Sequence, residues 1–450
     1  MFAKLHAPLR DLQSLMIFTL ALLISLSFFC DRVFSQDDHS PAVTVTLDTA
    51  FRFALEKTET VPIGKSRINQ AQAKEDQVKS RFFPSLSFEA NYLEQEKAHL
   101  MIPATGIWGD KQSHTRLHLS QSLYEGWRNL HQLNASRFDR ELQRQNLFYE
   151  NCMTYINIAK IFYAVISNEA ELTSLNKTID LAKDRVNEIK NRVKIGKSRN
   201  IELMAAMAQL SVLEAQKIAT EGELTAALDQ FALSTGLPRH VTLQKKPEKI
   251  EKPESMETYL TLIDERPDIL AAKARAQSAH SHISSVRAGH LPAVEIGANY
   301  YPTRDGAKKD MNWDAAITLT VPIFTGGLVN AQMREASAAK TEADYLLASS
   351  KRRAEIEIRT AYNSLLSAIN QIKALESALK LTEQNYQEQT KNYKFSQATN
   401  LDVISALNTY QETKRSFDRT HYQALLYWAQ LKATTAQISF NSLMTKEKDW

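Results

Sequence analysis

Breakers of regular structure are scarce in this chain. It has 12 Gly and 12 Pro in 450 residues, and the 123 residues from Leu328 to Trp450 contain neither. These are the strongest helix breakers, so their absence over that length excludes ordinary globular α/β alternation and predicts very long helices. Cysteine is nearly missing too, with only Cys30 and Cys152. Cys30 falls in the N-terminal segment described below, which leaves Cys152 without a disulfide partner, so packing must hold the fold. Charge of one sign is also lacking: 55 Lys and Arg face 51 Asp and Glu, a net +4 that suggests no nucleic acid.

What is present is periodicity. Ile358, Tyr362, Leu365, Ile369, Ile372, Leu375 and Leu379 recur at steps of 4, 3, 4, 3, 3 and 4, an apolar seam of coiled-coil type. A helix from Leu328 to about Tyr393 is about 100 Å long, more than a compact domain of this size buries, so something else must cover the seam. The polar hexapeptide Phe395 to Asn400 predicts a tight helical hairpin. A return helix then carries Ile404, Leu407, Tyr410, Phe417, Leu425, Trp428 and Leu431. Asn400 is its expected N-cap, with Asp402 in the first turn, where exposed N–H groups favour a carboxylate.

At the N-terminus, Lys4 and Arg10 precede an apolar run from Leu15 to Phe29, and Val33-Phe34-Ser35 offers small residues for cleavage, so residues 1–35 read as a secretory signal. Cys30 as a lipid-bearing terminus is the alternative, against which Phe28 and Phe29 are bulky. From Val45 to Arg81 the pattern is helical, with an expected interruption at Pro62 and Asp48 as a candidate cap. The period then changes to two. Leu86, Phe88, Ala90 and Tyr92 alternate with Ser85, Ser87, Glu89 and Asn91, and a second alternating segment spans His114 to Leu123. A Gly- and Pro-free run from Trp127 to Ile195 follows, turns at Gly196 to Asn200, and returns to about Ser234.

This order repeats. Leu291 to Tyr300 matches Phe83 to Tyr92, Pro267 matches Pro62, and Ile323-Phe324-Thr325-Gly326 matches the strand end Leu123-Tyr124-Glu125-Gly126. Asn200-Ile201-Glu202-Leu203 stands 200 residues from Asn400-Leu401-Asp402-Val403. The organisation is a signal at 1–35, a first repeat at 36–240, a Lys-, Glu- and Pro-rich connector at 241–257, a second repeat at 258–440 and a polar tail at 441–450.

Each strand puts one apolar face opposite a polar one, as in Ile317 and Leu319 against Thr318 and Thr320. An open sheet edge has no hydrogen-bond partners in lipid, and the smallest closed barrels have about 8 strands. Four strands therefore require at least two copies of the chain. The fold class is a mostly α mixed membrane protein with long coiled-coil-like helices.

Together the duplication, Arg266-Pro267-Asp268-Ile269, Val321-Pro322-Ile323-Phe324-Thr325-Gly326-Gly327 and the paired tips resemble the TolC-type outer-membrane factors, over about Val45 to Ile438. That resemblance implies a homotrimer in outer-membrane lipid, with four strands per chain in a 12-strand β-barrel and a 12-helix α-barrel through the periplasm. It implies partners in a periplasmic adaptor (membrane fusion) protein and an inner-membrane transporter. The tips, Gly196, Lys197, Ser198 and Ser396, Gln397, Ala398, become the periplasmic entrance and adaptor-docking points. The family's acidic constriction maps onto Asp402, with Ser405 where a second acid stands in relatives, and onto Glu202. Tyr393 matches a tyrosine that ties the two hairpins in a closed state. The second tip departs from the family by lacking Gly.

Other chemistry is thin. Gly64-Lys65-Ser66 and Gly196-Lys197-Ser198 lack the earlier Gly and preceding strand of a phosphate loop. His280 and His282, two apart on a helix, point to different sides, and Cys152 among Tyr155, Ile156 and Ala159 reads as a core thiol. Trp108 and Trp313 flank strand ends as interface aromatics, with a plain loop residue the other reading of Trp108. No nucleophile–base pair, cofactor or metal set emerges, which makes the expected function a passive exit duct of an efflux pump or type I secretion system rather than an enzyme. The alternative is a periplasmic coiled-coil adaptor or stalk, which has no use for four lipid-compatible strands.

Overall fold

The computed structural model describes residues 44–94, 96, 111–239, 241–244, 250–304 and 310–437. The expected signal with Cys30, Trp108, the 441–450 tail and residues 245–249 of the connector lie outside the described residues. In the first half, α1 (Leu47–Lys57) and α2 (Thr60–Ser80) lead to β1 (Ser85–Glu94) and β2 (Lys111–Glu125), then to α3 (Arg128–Lys194) and α4 (Asn200–Thr235). The second half runs through α5 (Met256–Leu260), a 3-10 turn at Thr261–Glu265, α6 (Pro267–Arg287) and a 3-10 turn at Ala288–His290. It continues with β3 (Ala293–Arg304), β4 (Trp313–Thr320), α7 (Leu328–Lys394) and α8 (Asn400–Thr434). Helices α3 and α7 have 67 residues each, about 100 Å of unbroken helix.

Element ends differ from the sequence reading where a threonine outcompetes its neighbours. Thr46, not Asp48, caps α1: its hydroxyl accepts from the Thr49 N–H at 3.1 Å, and the Thr49 hydroxyl accepts from the Thr46 N–H at 2.7 Å. Thr399, not Asn400, caps α8 in a reciprocal pair with Asp402. The break between α1 and α2 lies at Thr58 and Glu59. Pro62 sits in the first turn of α2, where its missing N–H has no intrahelical bond to lose. Strand β4 stops at Thr320, short of the expected Ile323, because Pro322 cannot donate to a ladder.

Helix α3 packs on α2, α4, α6 and α8, and α7 packs on α6 and α8. One core joins Phe51 of α1 to Tyr155 and Phe162 of α3, Phe231 of α4 and Leu425 of α8. Another joins Ile358 and Leu365 of the long seam to Tyr259 and Leu431. The seam is covered unevenly: Ile358 and Leu365 are wholly buried, whereas Ile372, Leu375 and Leu379 are only partly so in the single chain. Arg266 explains the Arg-Pro-Asp motif. Its buried guanidinium donates to both Asp268 oxygens at 2.9 Å and to Glu357 at 2.7 Å, fastening the start of α6 to α7. Pro267 occupies the first position of α6, which suits its fixed φ.

The four strands form one antiparallel sheet in the order β1-β2-β3-β4, so β2 and β3 join the two halves. Its two faces separate by chemistry. Leu86 and Leu119 line up with Ala298 and Ala315, and Ile296 pairs with Ile317, on a face where Leu86 is 68% and Ile317 71% exposed. The other face carries polar links across the ladder: Arg116 Nε donates to Glu89 at 2.8 Å, His118 lies 2.8 Å from Asn299, and the Asn299 amide donates to Asp314 at 2.7 Å. Among the described residues no helix is long and apolar enough to cross a membrane.

Cys152 is 2% exposed on α3, and burial pushes its thiol up to about 11. A water-soluble maleimide at pH 8 should therefore leave Cys152 unmodified until denaturant is added, as read by peptide mapping. The unfolded chain releases this proton first, so the thiol's contribution to stability is present below about pH 8.5 and declines as pH rises towards about 11. Rapid labelling of folded protein would overturn this packing.

Candidate functional site

The distal ends of the two long hairpins concentrate the polar and strained groups. At the first tip, the Lys197 N–H donates to the Arg192 carbonyl at 2.8 Å and the Gly196 N–H to Val193 at 3.0 Å. At the second, Gln397 donates to Asn392 at 2.8 Å and Ser396 to Tyr393 at 3.0 Å. Both helices thus end in the same Schellman turn, with Gly196 at φ +71° and Ser396 at φ +59°. The missing glycine leaves the turn geometry intact, at a backbone cost of about 1–2 kcal/mol for a serine in the left-handed region. Lys197 and Gln397 are exposed, Ser198 and Ala398 half-buried. Ile195 and Phe395, with Ile201 and Leu401, present large apolar groups around the tips, each at least 66% exposed.

Each tip's acid turns back onto its own helix start. The Glu202 carboxylate accepts from the Ser198 hydroxyl and from Arg199 Nε at 3.3 Å. Asp402 accepts from the Thr399 hydroxyl at 2.7 Å and the Thr399 N–H at 2.8 Å, and these bonds hold its carboxyl below the usual carboxylate range. The cap's contribution is therefore present above about pH 4 and is lost as pH falls further. Ser405, one turn on, is exposed and stands outside this cap.

Tyr393, Glu202 and Asn400 are brought together by two arginines that the sequence reading passed over. Arg185 lies 3.6 Å above the Tyr393 ring and Arg192 4.5 Å from it, while Arg185 Nε donates to the Asn400 side-chain oxygen at 3.1 Å. The Asn400 amide in turn donates to the Glu202 carbonyl at 3.2 Å, so α3, α4, α7 and α8 meet at one buried asparagine. Both arginine contacts to the Tyr393 side chain run to its ring. Arg185 and Arg192 are seven apart, on one stripe of α3, a spacing that marks them in retrospect. Beside this hub lies a groove of about 270 Å³ lined by Arg185, Glu188, Tyr386 and Leu407. Asp402 and Ser405 take no part in the hub. Among the described residues no three metal-ligating side chains converge, and His280 and His282 are both exposed on α6.

Residues 259–437 match the family described as "Outer membrane efflux protein". The chain is 22% identical over 393 residues to Outer membrane protein TolC of Escherichia coli, covering 82% of this chain and 78% of that protein. It is 22% identical over 264 residues to Proteases secretion protein PrtF of Dickeya chrysanthemi, covering 55% and 56%. In fold it is similar to the crystal structure of the outer membrane protein VceC from Vibrio cholerae, with a TM-score of 0.76 and 20% identity over 86% of this chain and 95% of that one.

The hub's dependence on the aromatic ring is open to measurement. Tyr393→Leu removes both ring contacts, worth about 0.5–2 kcal/mol each, and should raise amide exchange at residues 185–200 and 393–405, whereas Tyr393→Phe should leave it within about two-fold of the parent. Equal effects of the two substitutions would assign the tie to the hydroxyl instead.

Proposed function

We propose that this chain, which matches the outer membrane efflux protein family over residues 259–437, is an outer-membrane exit duct projecting into the periplasm and works as a homotrimer with a 12-strand barrel and a 12-helix tunnel. One observation carries the proposal: a four-stranded sheet with two open edges and one exposed apolar face is joined directly to two 67-residue helices. In hydrocarbon the edges of β1 and β4 need strands from other copies, and three copies supply a closed barrel. The polar ladder on the opposite face then lines a wet lumen, and the partly covered lower seam of α7 is buried by neighbours. Substrates are conducted passively, energised by an inner-membrane transporter of an efflux or type I secretion system. An adaptor protein docks on the tips at Gly196, Lys197, Ser198, Ser396, Gln397 and Ala398, where Ile195 and Phe395 offer apolar contacts. Trimerisation brings Asp402, with Glu202, Tyr393 and Ser405 nearby, around the entrance as an acidic ring that favours cations.

The barrel is tested by a pair of neighbours. Ile317→Arg should cost about 2–4 kcal/mol near the bilayer midplane and deplete heat-modifiable trimer from the outer membrane, while Thr318→Arg on the lumenal face should be tolerated. Equal loss from both would sink the lipid-facing assignment. For the entrance, Asp402→Asn should lower cation preference and multivalent-cation block in planar-bilayer recordings. Unchanged selectivity and block would leave Asp402 a helix cap only.

A further inference from the structure

We infer that the junction of α2, β2 and α3 binds an anionic phospholipid of the periplasmic leaflet, with its phosphate against Arg81 and Arg128 and its acyl chains along the apolar face of the sheet. The inference rests on reading that face as the lipid side of a barrel. A cavity of about 530 Å³ lies where β2 ends and α3 begins, with both arginines in its wall. The cavity adjoins the apolar side: Gln121 of its wall lies on the face of Leu117 and Leu119, and Tyr124 pairs with Val294 across the bulge at Ser122. The Tyr124 and Trp127 rings meet edge to face at 5.8 Å, and Trp127 is 62% exposed with Phe82 and Leu123 exposed beside it. Aromatic rings at the level where strands give way to polar helices suit a membrane–water boundary.

The charge is complementary to a headgroup. Among the described residues neither Arg81 nor Arg128 is in a salt bridge; Arg81 donates to the neutral Gln132 side chain. Glu125 is the acid in the same wall, so the site keeps a net positive charge. A guanidinium fork matches phosphate oxygens geometrically. The second half of the chain serves as an internal control. With Phe83 matched to Leu291 and Gly126 to Gly326, the positions of Arg81, Trp127 and Arg128 are held by Gly289, Gly327 and Leu328. The left-handed entry into the long helix therefore forms in the second half without two cations and an indole, although β4 ends earlier than β2, so the turn itself does not require these three side chains, whose contacts within the chain are to Gln132, Tyr124 and the backbone near Gly289. Free phosphate would engage the arginines but leave the apolar rim, continuous with the lipid face, without an occupant.

The test is native mass spectrometry of the full-length trimer in detergent, titrated with dioleoylphosphatidylglycerol, dioleoylphosphatidylcholine or inorganic phosphate. The parent should retain one phosphatidylglycerol per chain in preference to phosphatidylcholine. Arg81→Gln and Arg128→Gln should each weaken retention about five-fold, and together about twenty-five-fold, with heat-modifiable trimer unchanged. Should Arg128→Gln fail to assemble, Arg128→Lys retaining the lipid while Arg81→Gln loses it supports the site. Equal uptake of both lipids, undiminished retention in the double variant, or displacement by an equal concentration of inorganic phosphate would overturn it. Those outcomes leave the barrel standing, because trimer assembly and the contrast between residues 317 and 318 test that reading separately.

Discussion

Every backbone N–H and C=O placed in hydrocarbon must find its partner within the protein, and this constraint organises the molecule. The sheet satisfies it between its strands, yet β1 and β4 keep one unpaired edge each. The proposed closure by further copies would pair those edges and set the long helices beneath a ring of strands. The apolar face and the polar ladder from Glu89 to Asp314 on the opposite face follow from the same pleat, because a strand alternates its side chains with a period of two.

Helix length follows from continuity. Without Gly or Pro, α3 and α7 run for 67 residues from the membrane-proximal turns to the tips, and their packing changes character along the way. Near the middle, the short elements α1 and α5 and the connector add an extra layer. Val45 forms a bridge to Leu243, and Arg266 is buried against Asp268 and Glu357. Towards the tips that layer is gone, and polar contacts take over through Arg185, Asn400 and the Tyr393 ring. Cation–π and hydrogen-bonded contacts of this size are individually small compared with the buried apolar packing nearer the middle.

The internal duplication sharpens these assignments, because the two halves meet different demands with one plan. Both tips use the same Schellman turn, although one has Gly196 and the other Ser396 in the left-handed region. Both acids turn back onto their own helix starts, but only Asp402 completes a capping pair with the backbone, and Glu202 lies beside the hub while Asp402 stands outside it. At the membrane-proximal turns the halves diverge, with Arg81, Trp127 and Arg128 in the first half only.

By itself the sequence determined the long helices and the two-faced strands, because periodicity and the lack of breakers are local properties, but it missed the short helix at Met256–Leu260, whose start it had placed in the connector. It located both hairpin tips and both 67-residue helices to within a residue or two. Cap identity escaped it: Thr46 and Thr399 were hidden by the acids and amide beside them, and competing caps differ by little energy. The end of β4 was legible in Pro322 but was masked by the analogy with Leu123. What only the tertiary structure decided was which residues meet across hairpins. Arg185 and Arg192 look like ordinary surface charges until α3 is laid against α7 and α8, and Asn400 looks like a cap until the fold buries it. Such contacts join residues some 200 positions apart, and helix packing, not any local pattern, sets which of them touch.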